Sequence, residues 1–386
     1  MQTRAAKTPA HLALLIGWLL IGQASLVLAE PVCPEPGRWV VAGEDGQRST
    51  SEVLERYQDA QVILLGEQHD RAEDHRWQLH LLAALHGRRP HMSVGFEMLP
   101  RRSQDALDAW LRHELDEDDL LRQSNWFEVW GHASSLYLPL FQFARMHGIP
   151  AYGLNVDRDT VRRVGRDGWH EVPAAEREHV GPAAEPPEAY VDEMRDVLAY
   201  HPAPDGVDED DYLEQFVRSQ TVWDRAMAEK LAEAAERHDG PAVAIVGRGH
   251  TDYGRGIPHQ LADLGVERIV VLLPHRNGEP CLDEPPYPAH ALFGVTDSPS
   301  DTRIAAPRLG IAVTANEKGL TVTEVNRDGA ADRAGIRQDD ILIRAGDQEL
   351  RERSDLLALL DRQRPGNMLT LEVLRDGTPQ ELLIEL

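Results

Sequence analysis

Five short, almost wholly apolar runs rich in β-branched residues, separated by longer stretches with helical spacing, constrain this chain more than anything else in it. They are Gln61–Gly66 (QVILLG), Met92–Glu97 (MSVGFE), Pro150–Val156 (PAYGLNV), Ala242–Gly247 (AVAIVG) and Arg268–Pro274 (RIVVLLP). A strand with no polar alternation is covered on both faces, and crossover helices provide that cover. Between the first two runs, Ala72–His86 carries Trp77, Leu81, Leu82 and Leu85 at helical spacing. The fold class that follows is α/β, a mostly parallel sheet with flanking helices.

The interval Val164–Gln215 breaks this rhythm with Pro, Ala and acidic residues and one helical stretch near Pro187–Tyr200. Unstructured loops of that length are uncommon inside compact domains, so the interval reads as an inserted helical cap over the sheet edge. Pro280–Ala306 has no periodicity and reads as a linker. Beyond it, short alternating strands at Ile311–Thr314, Leu320–Val325, Asp340–Ile343, Leu369–Leu374 and Glu381–Leu386 alternate with helical stretches at Ala331–Ala334 and Ser354–Arg362. The expected scheme is a leader at 1–29, an α/β domain at 30–279 with the cap at about 164–215, a linker at 280–306 and a small β-rich domain at 307–386. Two domains suit 386 residues at about 150 residues each.

Arg4 and Lys7 precede the apolar stretch His11–Leu20, and Val27-Leu28-Ala29 before Glu30 fits a small-residue cleavage site. This predicts a cleaved signal peptide and a periplasmic or secreted protein. Cys33 follows Glu30-Pro31-Val32 rather than a small-residue box, so lipidation at Cys33 is not expected. Export would place Cys33 and Cys281, the chain's two cysteines, where disulfides persist, and the two are expected to be bonded. A formal charge of −25 repels nucleic acid, which is therefore not an expected partner. A homodimer is compatible with the sequence.

Open parallel sheets bind ligands beyond the carboxyl ends of their strands. The first run exits into Gly66-Glu67-Gln68-His69-Asp70, the second ends in Phe96-Glu97, the third in Asn155-Val156-Asp157 and the fourth in Gly247-Arg248-Gly249-His250. Two Gly-x-x-His turns thus return His69 and His250 over one rim. With Glu67 and Glu97 they form a donor set of the kind that holds a divalent transition metal with a position open to water. In a hydrolase, Glu67 or Glu97 would serve as the catalytic general base. Without a metal, the histidines would brace loop backbone and Glu97 would lie under a helix N-terminus.

Two resemblances follow from these residues. Arg308–Ile311, Gly319–Val325, Gly329–Ile336 and Asp339–Leu342 resemble the PDZ domains of exported bacterial proteins, departing at Gln338-Asp339-Asp340, where that family more often has a Pro-Gly or Glu-Gly pair before the Asp. The resemblance implies that a partner's extended C-terminal peptide adds to the edge strand Gly310–Val313 beside a helix over Ser354–Arg362, its carboxylate received by the amides of Leu309, Gly310 and Ile311. Val62–Asp70, Phe96-Glu97-Met98, Ser219–Asp224 with Met227-Ala228, and Gly247–Pro258 together resemble the ChaN-like haem-binding uptake proteins, over about residues 45–275. That family shares a superfamily with the TIKI metallopeptidases and erythromycin-esterase-like hydrolases. The resemblance implies an exported protein of haem or iron acquisition, although the lipobox common in the family is missing and the cap is unusually acidic. Haem iron takes His, Tyr or Met as axial donor. Tyr190, Met194, Tyr200 and His201 of the cap and Tyr253 of the rim are the candidates, Tyr190 and Met194 sharing a helix face four residues apart. Three functions follow: an iron-porphyrin-binding protein with a peptide-binding module, a metal-dependent peptidase- or esterase-like hydrolase, and a non-catalytic periplasmic adaptor.

Overall fold

The computed structural model describes residues 33–200, 203, 206–282, 284–296 and 307–386. The expected leader, His201 and residues 297–306 of the expected linker lie outside them. The first domain runs β1 (Trp39–Val41), α1 (Thr50–Arg56), β2 (Val62–Glu67), α2 (Ala72–His86), β3 (Ser93–Pro100), α3 (Gln104–Leu111), α4 (Glu117–Gln123), α5 (Trp126–Val129), α6 (Ser134–His147), β4 (Ala151–Asn155), α7 (Arg158–Asp167), α8 (Glu188–Leu198), α9 (Glu209–Arg237), β5 (Ala242–Gly247), α10 (Ile257–Asp263), β6 (Ile269–His275) and β7 (Ala291–Gly294).

The sheet order is β1-β7-β6-β2-β5-β3-β4, parallel except where β1 runs antiparallel to β7. The unbroken apolar runs have a direct cause. Ile63, Leu65, Phe96, Val243 and Ile245 face a core filled from α2 and α6, while Val62, Leu64, Ala244 and Val246 face a second core filled from α9 and α10. Both faces of each central strand are therefore dry. The chain passes from β2 over the β5 position to β3 and β4, then returns with β5 between β2 and β3. This reversal of direction opens a crevice at the carboxyl ends of β2, β5 and β3.

Two expectations about the intervening segments change. Val164–Asp167 of the supposed cap closes α7, and Glu209–Gln215 opens the 29-residue α9. Val161, Val164, Val172 and Val180 pack with Val222 and Ala226, so part of the interval expected as an inserted cap lies against α9. Likewise, Pro280–Ala306 is not wholly linker, because β7 adds Ala291–Gly294 to the sheet beside β6. Four residues are too few to show a period. The disulfide Cys33–Cys281, with Cα atoms 5.0 Å apart, ties the segment before β1 to the segment after β6.

The second domain is an antiparallel β fold of β8 (Ile311–Asn316), β9 (Gly319–Val325), α11 (Ala330–Arg333), β10 (Ile341–Ala345), β11 (Gln348–Glu349), α12 (Arg353–Asp361), β12 (Met368–Arg375) and β13 (Thr378–Glu385), in the order β13-β12-β10-β9-β8 with β11 on β10. Leu320, Val322, Leu342, Leu356, Leu371 and Ile384 fill its core. Gly310, just before β8, has φ +76°, a conformation that a Cβ would strain. Helix α12 also touches the first domain. The Asp361 carboxylate accepts from the Ser134 amide at 3.3 Å and from the Ser134 hydroxyl, Arg362 pairs with Asp118, and Arg353 lies 3.3 Å from Glu128. Among the described residues, no helix is long and apolar enough to cross a membrane.

Candidate functional site

Each Gly-x-x-His turn is shaped by the other. A Cβ on Gly66 would strike Leu273 and the Thr251 hydroxyl of the turn after β5, whereas a Cβ on Gly247 would lie 2.6 Å from His69 Cε1 and 3.0 Å from its Nε2. Both glycines are therefore required by close approach, and the two turns interlock over the ends of β2 and β5. Below the first turn, the buried Asp74 accepts from the Gln68 amide at 2.9 Å and pairs with the buried Arg276.

Glu67, His69, Glu97 and His250 gather at this point. His69 Nδ1 lies 2.6 Å from Glu67 Oε1, with the Tyr137 hydroxyl donating to the same oxygen at 3.4 Å. Glu67 Oε2 is buried without a hydrogen-bond partner, and burial, opposed by His69, pushes the carboxyl up to about 7. Glu97 Oε2 accepts from the Gly247 amide at 2.5 Å, and Glu97 Oε1 lies 3.5 Å from His250 Nε2. Burial works to raise Glu97, but His250, His69 and the Gly247 amide together outweigh it and hold the carboxyl at about 2. His250 Nδ1 lies 2.7 Å from Asp224, itself buried and accepting from the Tyr190 hydroxyl at 2.6 Å. Burial opposes a charge on His250, yet the Asp224 and Glu97 carboxylates prevail and raise its pKa well above the ordinary value. His250 is thus an imidazolium clamped between two acids.

Above this floor opens a cleft of about 1200 Å³. His69, Glu97, Met98 and His250 line it from the strand ends, Asn155 and Trp223 from β4 and α9, Trp130 and His132 from the connection between α5 and α6, and Arg158 and its neighbours from α7. Arg353 of α12 joins them from the second domain. The His132 ring lies 4.9 Å from that of His69 and 5.4 Å from that of Trp130. Burial, together with the charges of His69 and Arg158, lowers its pKa and so favours the neutral imidazole.

The expected axial donors lie elsewhere. Tyr190 and Met194 do share one face of α8, but that face packs on Leu213, Phe216 and Val217 of α9, and the Tyr190 hydroxyl is spent on Asp224. Tyr200 is 85% exposed, Tyr253 sits under the Arg255 guanidinium at 4.6 Å, and neither lines the cleft; His201 lies outside the described residues. Buried helix faces and ligand-facing ones have the same spacing, so the spacing of Tyr190 and Met194 does not tell the two apart. His132, Asp224, Arg158 and Arg353 were missed as site residues. Asp224 stood in a motif with no role attached, and nothing periodic marks His132. The peptide-binding expectation rests on Leu309, buried at the head of β8, with Gly310 and Ile311.

A divalent metal fits this arrangement only in part. Each histidine offers its Nδ1 to a carboxylate, as metal-bound imidazoles do. Among the described residues, however, three donor atoms within 4.8 Å of one another occur only at Cys33, His275 and Cys281, where the two sulfurs are bonded to each other. An iron porphyrin finds room in the cleft, where the indoles of Trp130 and Trp223 and the imidazole of His132 stand among a largely charged lining.

A family model described as haem-binding uptake, Tiki superfamily, ChaN matches residues 53–261, and a PDZ-domain model matches residues 307–386. No curated protein matches the chain. Among solved structures, that of cofacial haem binding to ChaN of Campylobacter jejuni aligns with a TM-score of 0.51 at 20% identity, covering 66% of this chain and 95% of that one. This likeness establishes a shared fold. The HtrA-type protease AlgW with a decapeptide aligns at a TM-score of 0.20 and 29% identity, over 20% of this chain and 28% of that one. A serine endoprotease from Yersinia pestis aligns at 0.20 and 26%, over 22% and 30%.

Proposed function

The chain belongs to the ChaN-type haem-binding uptake family of the Tiki superfamily and carries a PDZ domain, and on that premise we propose that it is an exported protein that holds iron porphyrin in the cleft beyond β2, β5 and β3. The observation that carries this reading is a cavity of about 1200 Å³ lined by the His132 imidazole, whose ring lies 5.4 Å from that of Trp130. That volume is at or above the roughly 300–1,000 Å³ of small-molecule pockets, enough for a flat macrocycle. Bound haem would supply an iron centre that accepts a nitrogen donor, and His132 would be the residue to hold it. Trp130 and Trp223 would offer apolar surface to the ring, while Glu67 and Glu97 fix the two Gly-x-x-His turns beneath. The second domain would take protein C-termini by strand addition along β8.

Titration of hemin into the purified chain is expected to give a saturable Soret shift. His132→Ala should weaken binding about tenfold or more, a lost ligand being worth about 1.4 kcal/mol per tenfold. Absence of a saturable shift in the wild-type chain would remove the reading.

A second reading, metal-dependent hydrolysis at His69 and His250, is favoured by the two Nδ1–carboxylate contacts, with Glu67 near a pKa of 7 suited to general-base work. It requires His250 to surrender its proton. Elemental analysis after reconstitution with zinc decides it: no retained metal disposes of it.

A further inference from the structure

Resting on the porphyrin reading, we propose that Arg158 and Arg353 bind the carboxylates of the cleft's ligand, so that the PDZ domain supplies part of the porphyrin site. Five arginines, Arg102, Arg158, Arg162, Arg163 and Arg353, and no lysine, line this cleft alongside six carboxylates. Planar guanidinium forks suit carboxylates, which they can grip through two parallel hydrogen bonds.

Arg102 pairs with Asp157, Arg162 lies 3.3 Å from Asp159 and Arg163 pairs with Glu176, all of these partners lying on the first domain. Arg158 has no ion pair among the described residues, and its charge already reaches His132, the imidazole assigned to the iron. Arg353 has a single contact with Glu128, with side chains 57% and 37% exposed. Exposed ion pairs of this kind, those of Arg102, Arg162 and Arg163 among them, are weak and readily exchanged for a ligand carboxylate, and Arg353 differs from the others in coming from the second domain. The position of Arg353 is not left to a flexible tether, because Ser134, 3% exposed, donates to Asp361 at the other end of α12. A porphyrin with two propionates would thus meet one free cation from α7 and one exchangeable cation from α12.

The test compares hemin with its dimethyl ester, which keeps the iron and the ring but not the carboxylates, on the full chain. The wild type is expected to bind hemin about tenfold tighter than the ester, a charged hydrogen bond being worth roughly one decade. Arg158→Gln and Arg353→Gln should each weaken hemin roughly three- to tenfold, leave the ester unchanged and preserve the melting temperature, with Arg158→Lys recovering part of the loss. Equal affinity for hemin and ester in the wild type, or unchanged hemin affinity in both folded glutamine variants, overturns the proposal while leaving haem binding in place. Failure of both porphyrins to bind the wild type removes the porphyrin reading itself and this proposal with it.

Discussion

A methyl group on Gly247 would press on the His69 ring, 2.6 Å from Cε1, although the backbone there, at φ −64°, accepts any residue. The cost of Gly247→Ala is therefore steric, of the roughly 1–3 kcal/mol that overpacking brings. Two residues on, a Cβ at Gly249 meets nothing within 4 Å. Gly247→Ala should lower the unfolding free energy by that amount and weaken hemin binding, and Gly249→Ala should do neither; equal effects in thermal denaturation and hemin titration would deny the interlock. His75 gives the pH dependence a sign. It is 3% exposed, lies between Gln78 and the His69 carbonyl, and burial lowers its pKa from 6.5 to about 4. A depressed histidine contributes stability that is complete above its unfolded pKa and is lost as pH falls through the window from 6.5 to 4. By pH 5 the loss is roughly 2 kcal/mol at 1.36 kcal/mol per pH unit. Urea midpoints for wild type and His75→Gln should therefore converge between pH 7 and pH 5, and parallel profiles would show that the ring is not buried neutral.

At the scale of elements, the strands that build the cleft were legible because each is apolar on both faces, and β2, β3, β4, β5 and β6 start and stop within a few residues of their apolar runs. The edge was not. β1 and β7 have three and four residues, too short for any period, and they exist because Trp39, Val40 and Val41 pair with Phe293, Leu292 and Ala291. That edge is where the disulfide acts. Cys33–Cys281 spans 248 residues, and in chain-entropy terms a loop of that size stabilises by about 5 kcal/mol, of which real bridges deliver some 2–5. Reduction, or Cys33→Ser, should lower stability by about that amount, with hydrogen exchange rising first in β1 and β7. Unchanged exchange there would mean that β1 is held by pairing alone. His132 marks the limit of legibility at this scale. It sits in a connection with neither repeat nor motif, and only packing against His69 and Trp130 makes it a ligand candidate.

Across the whole molecule two electric fields compete, and the sequence discloses only the outer one. A charge of −25 can be counted without coordinates. That Arg158 and Arg353 line the same cleft cannot be read that way, since those residues lie 195 positions apart and α12 reaches the first domain through its contacts with Ser134 and Glu128. An approaching hemin, anionic through its propionates, feels the whole acidic surface first, because at low salt the Debye length of about 30 Å at 10 mM spans much of the protein. The arginines act only after it has arrived. Raising ionic strength from about 10 mM to about 150 mM shortens that length to about 8 Å, relieving the long-range repulsion more than the contact attraction. Stopped-flow association of hemin should therefore speed up a few-fold with salt, while dissociation also rises as the contacts with Arg158 and Arg353 are screened. An association rate that falls with salt would mean that the cleft's cations steer the ligand from a distance, and that the bulk charge has no say in how it arrives.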